Sequence, residues 1–212
     1  MTLPLFDYVA PRSLDAALAI LDREGDAACP LAGGQSLMPV LAFRLAAPRV
    51  LVDLRHLDEL RGIRIDHDGT TLGALVRWCD IERAAALAAA QPLLAAAVAH
   101  VAHYQIRNRG TVGGSLAHAD PAAELPGVAV ACDAVLTLAG RGGRRSLPAV
   151  DFFLAPLATA LAPGELVVDL RLPAWPARRR WGFREFARRR GDFALAGVAL
   201  HFDLDAAGLA AN

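Results

Sequence analysis

The sequence predicts an α+β protein, built from two α/β units and the opening of a small α+β third. Three observations carry that reading. Helix and strand patterns alternate over residues 1–56; a turn-bounded hairpin and alanine-rich helical stretches fill residues 57–173; and "PAWPARRR" separates these from residues 174–212.

In "SLDAALAILDRE", Ser13 is placed as N-cap, Leu14, Leu18 and Leu21 share a face, and Gly25 is the stop. A strand over Ala28–Leu31 runs into Gly33-Gly34, and "SLMPVLAFRLA" follows as a helix. "RVLVDLR", Arg49 to Arg55, is a second strand by its β-branched apolar run. In the second unit, "GIRIDHDGTTLGAL" reads as a hairpin turning at Asp68-Gly69. Two alanine-rich helices cover Trp78 to Tyr104, and another helix runs from about Ala122 to Cys132. The strand "AVLTLAG", a turn through Arg141 to Arg144, and the strand "ELVVDLRLP" complete it. "FREFARRRGDFALAGVALHFDLD" opens the third unit, which is expected to be incomplete at "DLDAAGLAAN".

Composition narrows the function. Hydrophobic residues make up 55% of the 212 and charged residues 21%, which suits a globular protein. Lys plus Arg equals Asp plus Glu, so the basic excess of a nucleic-acid binder is missing and no nucleic-acid partner is expected. "MTLPLFDYVAPRS" lacks the basic and apolar regions of a signal peptide. The richest apolar stretch is broken by Gln91-Pro92 and two histidines, which argues against a membrane span. Cys29, Cys79 and Cys132 stand far apart with no CxxC, so neither a zinc site nor an iron–sulfur cluster is expected on this chain. A cytoplasmic, reducing location fits.

Two glycine stretches carry the chemistry. "AGGQSL" offers bare backbone at Gly33 and Gly34 and side-chain donors at Gln35 and Ser36. "TVGGSLAHADPAAE" offers Gly113 and Gly114 between the hydroxyls of Thr111 and Ser115, then Asp120 and Glu124. Neither fits GxGxxG or GxxxxGK[ST], so the Rossmann and P-loop readings fail on spacing. Taken singly, each reads equally as a turn or a helix start, with Asp120 as a cap and Glu124 on the helix dipole. Taken together, two donor-rich glycine stretches suit a diphosphate bridge held by backbone amides. A side chain at Gly114 is expected to block that approach. His100 and His103, spaced i, i+3 among alanines, read as helix surface. The arginine runs at 178–180 and 188–190 read as a solvated linker and hairpin edge, or as a docking patch for a partner.

"AGGQSL", "QIRNRGTVGGSLAHADPAAELP" and "FREFARRRGDFALAGVAL", met in this order between Phe6 and about Asp203, resemble the FAD-binding medium subunit of the molybdenum hydroxylases. Carbon monoxide dehydrogenase, xanthine dehydrogenase and aldehyde oxidase belong to that group. The resemblance implies an FAD-binding domain of the p-cresol methylhydroxylase (PCMH) type followed by a small α+β domain. It implies that Ala32, Gly33, Gly34, Gln35 and Ser36, flanked by Leu31 and Leu37, wrap the FAD diphosphate with Thr111, Val112, Gly113, Gly114 and Ser115. Glu124 would bond ribose or ribityl hydroxyls, His118 would make a further contact, and Asp120 would stay in the site chiefly as a helix cap. Val167 and Arg184 would approach the flavin. No side chain is expected to act as a general acid or base. The resemblance further implies 2Fe–2S clusters on a small partner subunit and a molybdopterin cofactor on a large one, assembled as a dimer of heterotrimers. Electrons would pass from those clusters through FAD to an external acceptor. Medium subunits of the family continue several dozen residues further, and the insertion that carries an extra 4Fe–4S cluster in some relatives is missing here. Two other readings stand beside this one: a stand-alone PCMH-type flavin oxidoreductase acting on a small substrate, and a truncated binding module with no redox role.

Overall fold

The computed structural model describes residues 3–205 and 208–211. The first unit contains β1 (Asp7–Val9), α1 (Leu14–Glu24), β2 (Ala28–Leu31), α2 (Leu37–Ala42) and β3 (Val50–Asp53). The strands form a parallel sheet in the order β1-β3-β2. α1 starts where Ser13 Oγ accepts the Ala16 N–H at 3.2 Å, and its buried Leu14, Ala17, Leu18 and Leu21 pack with Val50 and Val52. α2 ends four residues before the expected Ala46. Arg44 takes a left-handed φ of +59°, and the N–H groups of Arg44 and Leu45 return to the carbonyls of Leu41 and Val40, which closes the helix.

The second unit runs β4 (Ile63–Asp66), β5 (Gly69–Gly73), α3 (Trp78–Arg83), α4 (Ala85–Ala90), α5 (Pro92–Val98), α6 (Tyr104–Arg107), α7 (Val112–His118), α8 (Glu124–Ala131), β6 (Val135–Gly140), β7 (Gly143–Pro148), α9 (Ala149–Phe152), β8 (Phe153–Ala155), β9 (Ala158–Thr159) and β10 (Leu166–Pro173). Its five-stranded sheet is antiparallel, ordered β4-β5-β10-β6-β7. The first hairpin turns on His67-Asp68, one residue earlier than expected. Asp66 Oδ1 accepts the Asp68 N–H at 3.0 Å and bends the chain there, leaving Gly69 as the first strand residue. The alanine-rich segment makes three helices before Val98 rather than two, broken at Ala84 and at Gln91-Pro92. Gln91 is buried, and its Nε2 donates to the Pro173 carbonyl at 2.8 Å, pinning that break to the sheet. His100 lies in the turn after α5 and His103 is the extended N-cap residue of α6, so they do not lie on one helix surface as the sequence suggested.

The five-stranded sheet is covered on both faces. Leu136, Leu138, Leu170 and Leu172 pack with helices α3, α5, α7 and α8, while Leu166, Val168 and Ala139 pack with the first unit. A bulge between Val167 and Asp169 shifts which face alternate residues of β10 meet, so one strand serves both cores.

β11 (Arg180–Phe186), β12 (Ala196–Leu204) and β13 (Ala210–Ala211) form a third antiparallel sheet. Phe183 and its cross-strand partner Ala199 join the main core, whereas Phe186, Val198 and Leu200 are exposed. Arg179 is not a free linker cation. It grips Asp203 through two hydrogen bonds of 2.9 Å and stacks over Trp175, 5.4 Å from the ring centre. Among the described residues, no helix is long and apolar enough to cross a membrane.

Candidate functional site

The fold brings the two glycine stretches into contact. Gly33 lies so close to the α6–α7 connection that a Cβ there would sit 2.2 Å from the Arg109 carbonyl oxygen and 3.0 Å from Gly110 Cα. A Cβ on Gly114 would stand 3.8 Å from that of Ala32. Leu31 ends β2 and Leu37 begins α2, so Ala32 to Ser36 form the connection between a strand end and a helix start. The backbone N–H groups of Ala32 through Leu37 make no hydrogen bond to the described residues, while Gln35 Nε2 donates to the Gly33 carbonyl at 3.2 Å. Such a row of bare donors is a seat for an anion.

Thr111 to Ser115 differ from the expectation. This stretch is the first turn of α7 rather than an open loop, with Thr111 as N-cap. Its amides are already used: Val112 N–H donates to the Val76 carbonyl, Gly113 N–H to that of Ala74, Gly114 N–H to Thr111 Oγ1 at 3.2 Å, and Ser115 N–H to the Thr111 carbonyl. What the second stretch supplies is close approach. Gly113 lies against Ala74, where a Cβ would come within 2.6 Å of the alanine methyl. Thr111→Val keeps the shape but removes the cap acceptor, and is expected to cost about 1 kcal/mol in urea unfolding with an unchanged denaturant slope.

A cleft of about 350 Å³ opens beside the junction. Its wall holds Leu31, Ala32, Gly33 and Thr111 from the glycine stretches, with Leu75 and Asn108. It also holds four arginines that the sequence reading gave no role: Arg55, Arg61, Arg77 and Arg109. Arg55 sits at the end of "RVLVDLR" and Arg109 inside "QIRNRGT", so their positions were visible although their convergence was not. Asp53, 1% exposed, anchors the first of them. Its carboxylate accepts Arg55 N–H at 2.9 Å, Arg55 Nε–H at 2.7 Å and Tyr8 O–H at 2.8 Å. Burial alone would raise the Asp53 carboxyl, but the hydrogen bonds from Arg55 and Tyr8 outweigh it and hold it below the usual range.

Asp120 is not the cap of α8. Its Oδ1 accepts the Ala122 N–H at 2.9 Å in a turn through Pro121, and α8 begins later, at Glu124, with Ala123 in the cap position. Glu124 is half-buried, and its pKa is pushed up to about 7 by burial, with further contributions from the nearby charges of Glu185 and Asp120. His118 closes α7, partly exposed. Val167 is buried in the main core cluster, on the face of β10 opposite to Leu166 and Val168. Arg184 pairs across strands with the exposed Val198, on the face of β11 opposite to Phe183 and Glu185, and does not line the cleft. A second cavity of about 340 Å³ lies between the turn after α5 and the third sheet, walled by His100, Glu185, Arg189, Arg190 and Gly191. Gly191 presses on His103, where a Cβ would fall 2.4 Å from Nδ1.

The residues fit a dinucleotide. Bare amides, a glycine approach that a Cβ would fill, and guanidinium groups are the donor set that a diphosphate needs. Comparison with known proteins points the same way. A family model described as the FAD binding domain in molybdopterin dehydrogenase matches residues 4–175. The chain is 42% identical over 205 residues to the 6-hydroxypseudooxynicotine dehydrogenase complex subunit alpha of Paenarthrobacter nicotinovorans, covering 97% of this chain and 69% of that one. It is 40% identical over 197 residues to the carbon monoxide dehydrogenase medium chain of Hydrogenophaga pseudoflava, covering 93% and 69% respectively. Among solved structures, a carbon monoxide dehydrogenase of Hydrogenophaga pseudoflava lacking the Mo-pyranopterin moiety superposes with a TM-score of 0.97 at 39% identity, over 100% of this chain and 74% of that one. Quinoline 2-oxidoreductase from Pseudomonas putida 86 superposes with a TM-score of 0.93 at 41% identity, over 97% and 71%.

Proposed function

This chain belongs to the family of FAD-binding domains of molybdopterin dehydrogenases, and from that premise we propose that it is the electron-transfer flavoprotein subunit of a molybdenum hydroxylase. It receives electrons from 2Fe–2S clusters on a small partner subunit, while substrate is oxidised at a molybdopterin cofactor on a large one. The three chains assemble as a dimer of heterotrimers in the cytoplasm. Residues 1–56 and 57–173 are the two FAD-binding subdomains, and residues 174–212 belong to the domain that follows them.

The contact between the glycine stretches carries the reading. The bare amides from Ala32 to Leu37 hold the diphosphate, and Gly113 and Gly114 let the second stretch close on it. Glu124 accepts a sugar hydroxyl, with His118 and Asp120 nearby on the chain. Bound FAD supplies the redox chemistry, taking electrons from one partner and releasing them to an acceptor. The protein's own part is to bind, to orient and to exclude water. Purified protein is expected to show flavin absorption bands, and co-expression with its partners is expected to add iron–sulfur bands to the same complex. A colourless protein that takes up no FAD when it is added would refute the flavin assignment. A yellow monomer that turns over a small substrate unaided would refute the subunit assignment.

A further inference from the structure

Away from the cleft, the hairpin β8–β9 presents an apolar surface that the cofactor site does not use. Between Asp151 and Glu165 the chain runs "FFLAPLATALAPG" without one charged residue, yet much of it faces water. Leu154 is 67% exposed and Leu157 62% exposed. Neither is placed by ordinary strand pairing. The register shifts between Phe153 and Ala155, so Leu154 is the extra residue of a bulge, a device that re-aims a side chain. Leu157 follows Pro156 in the two-residue turn and takes a left-handed φ of +59°, a place that suits glycine or asparagine. In the isolated chain this leucine carries two costs, a strained backbone and an exposed apolar side chain. Only a partner that buries the side chain can offset them.

The hairpin is nevertheless fixed in place. At its base Phe152 is fully buried and meets Phe153 edge to face at 5.1 Å. Ala160 N–H donates to the Phe152 carbonyl at 2.9 Å. Arg145 Nη2 donates to the Ala160 carbonyl at 2.7 Å, while the same guanidinium holds Glu165. At the tip, Leu157 N–H donates to the Ala119 carbonyl at 2.9 Å. Ala119 is the left-handed C-cap of α7, with a φ of +48°, and stands between His118 and Asp120. One hydrogen bond thus joins the exposed tip to the segment that carries His118 and Asp120.

We propose that the β8–β9 hairpin is the docking element for the small iron–sulfur subunit, with Leu154 and Leu157 entering an apolar, uncharged recess on that partner. The inference rests on the subunit reading and gives that reading a surface. Position selects the partner: the chain that delivers electrons to the flavin must approach the cofactor segment closely, and the tip is exposed, apolar and bonded to that segment. Chemistry selects the recess. A charge-free run offers nothing to a salt bridge, so removing it from water carries no charge penalty and burying it is favourable. A prong already held at base and tip also loses little conformational freedom when it binds. Two copies of this chain meeting tip to tip would bury only a few side chains, short of the roughly 1,000 Å² of a specific interface, whereas a recess also takes the flanks of the hairpin.

The test loads the full chain with FAD and measures its association with the iron–sulfur subunit that copurifies with it, by calorimetry and by the iron-to-flavin ratio of the complex. Wild-type association is expected to persist from about 0.05 to 1 M NaCl and to show a negative heat-capacity change. The amides of residues 153–160 are expected to gain protection from hydrogen exchange in the complex, a reading that needs no variant. Leu154→Asp is expected to weaken association about 100-fold or more. Leu157→Gly is expected to weaken it about tenfold or more while the melting temperature stays the same or rises, because glycine suits the left-handed turn. A merely structural leucine would lower both together. FAD content should match wild type in both variants, and Arg188→Gln, on an exposed residue outside the hairpin, should associate normally. Wild-type affinity in the folded Leu154→Asp/Leu157→Gly double variant, or hairpin amides left unprotected in the complex, overturns the proposal and leaves the subunit reading standing. Dimers of the wild-type chain that Leu154→Asp disperses would assign the hairpin to a second copy and also overturn it. A yellow protein that acquires no iron–sulfur subunit refutes the subunit reading itself, and the docking proposal falls with it.

Discussion

Gly33→Ala is expected to abolish stoichiometric FAD binding, lowering affinity about 100-fold or more, while the protein remains folded. The added methyl would be 2.2 Å from the Arg109 carbonyl oxygen, 2.9 Å from its carbon and 3.0 Å from Gly110 Cα. All three obstacles are backbone, so no side-chain rotation relieves them. Either β2–α2 or α6–α7 must retreat, and the bare amides from Ala32 to Leu37 then lose their aim. Overpacking of this kind also costs stability, roughly 1–3 kcal/mol. Gly114 was the glycine the sequence singled out, and its geometry is milder. A Cβ there meets Thr111 Oγ1 at 2.8 Å and the Ala32 methyl at a comfortable 3.8 Å. Gly114→Ala should therefore disturb the α7 cap and weaken FAD less than Gly33→Ala does. Flavin-to-protein absorbance after dialysis against FAD reads both. Wild-type flavin content in folded Gly33→Ala would sink the claim that closure of these two stretches makes the site.

That reversal of rank shows what was legible in the sequence and what was not. α1 could be read in full because each of its signals is local: a serine cap, apolar residues three and four apart, and a glycine stop. β2, β3 and β10 were legible for the same reason, as short β-branched or apolar runs bounded by turn residues. β7, "GRRSLP", was missed because an edge strand with its residues mostly exposed carries no apolar alternation. The glycine pairs announced a close approach, but not what approaches them. The partner of Gly33 is a carbonyl far along the chain, and no local pattern encodes such a meeting. The arginines of the cleft are the extreme case. Arg55, Arg61, Arg77 and Arg109 come from four separate segments, each unremarkable alone, and only the packing of the first unit against the second gathers them. Asp120 and Glu124 were both read at the start of one helix, but only Glu124 stands there, because α8 begins two residues later than Ala122 and leaves Asp120 in the turn before it.

Glu124→Gln is expected to stabilise the protein above neutral pH and to do little under acidic conditions. The carboxyl's ordinary value is 4.5, and burial, reinforced by the charges of Glu185 and Asp120, raises it to about 7 in the fold. The sign follows from proton counting. Below about pH 4.5 both folded and unfolded chains carry the proton, so Glu124 contributes no penalty. Between about 4.5 and 7 the unfolded chain releases it and the folded chain does not, so stability falls as pH rises. Above about 7 the folded chain holds a poorly solvated charge, at a cost of about 3 kcal/mol before solvent screening reduces it. Glutamine keeps the shape and cannot ionise, so the variant's advantage should grow across that window and then level off. Melting temperatures of both proteins at about pH 5, 6, 7 and 8 check it, and a gap that stays constant with pH would contradict the assignment. Glu185→Gln in the wild-type background should move the window downward by removing one of the two facing charges, while leaving the larger effect of burial in place. Under the proposed function Glu124 also accepts a sugar hydroxyl of FAD, so its cost to the free protein is offset by ligand binding. The same Glu124→Gln variant should therefore bind FAD about tenfold more weakly where the wild-type carboxylate is ionised, because it loses the charged acceptor for a sugar hydroxyl. Opposite signs in stability and FAD affinity, from one substitution in one pH range, separate a binding carboxylate from a merely buried one.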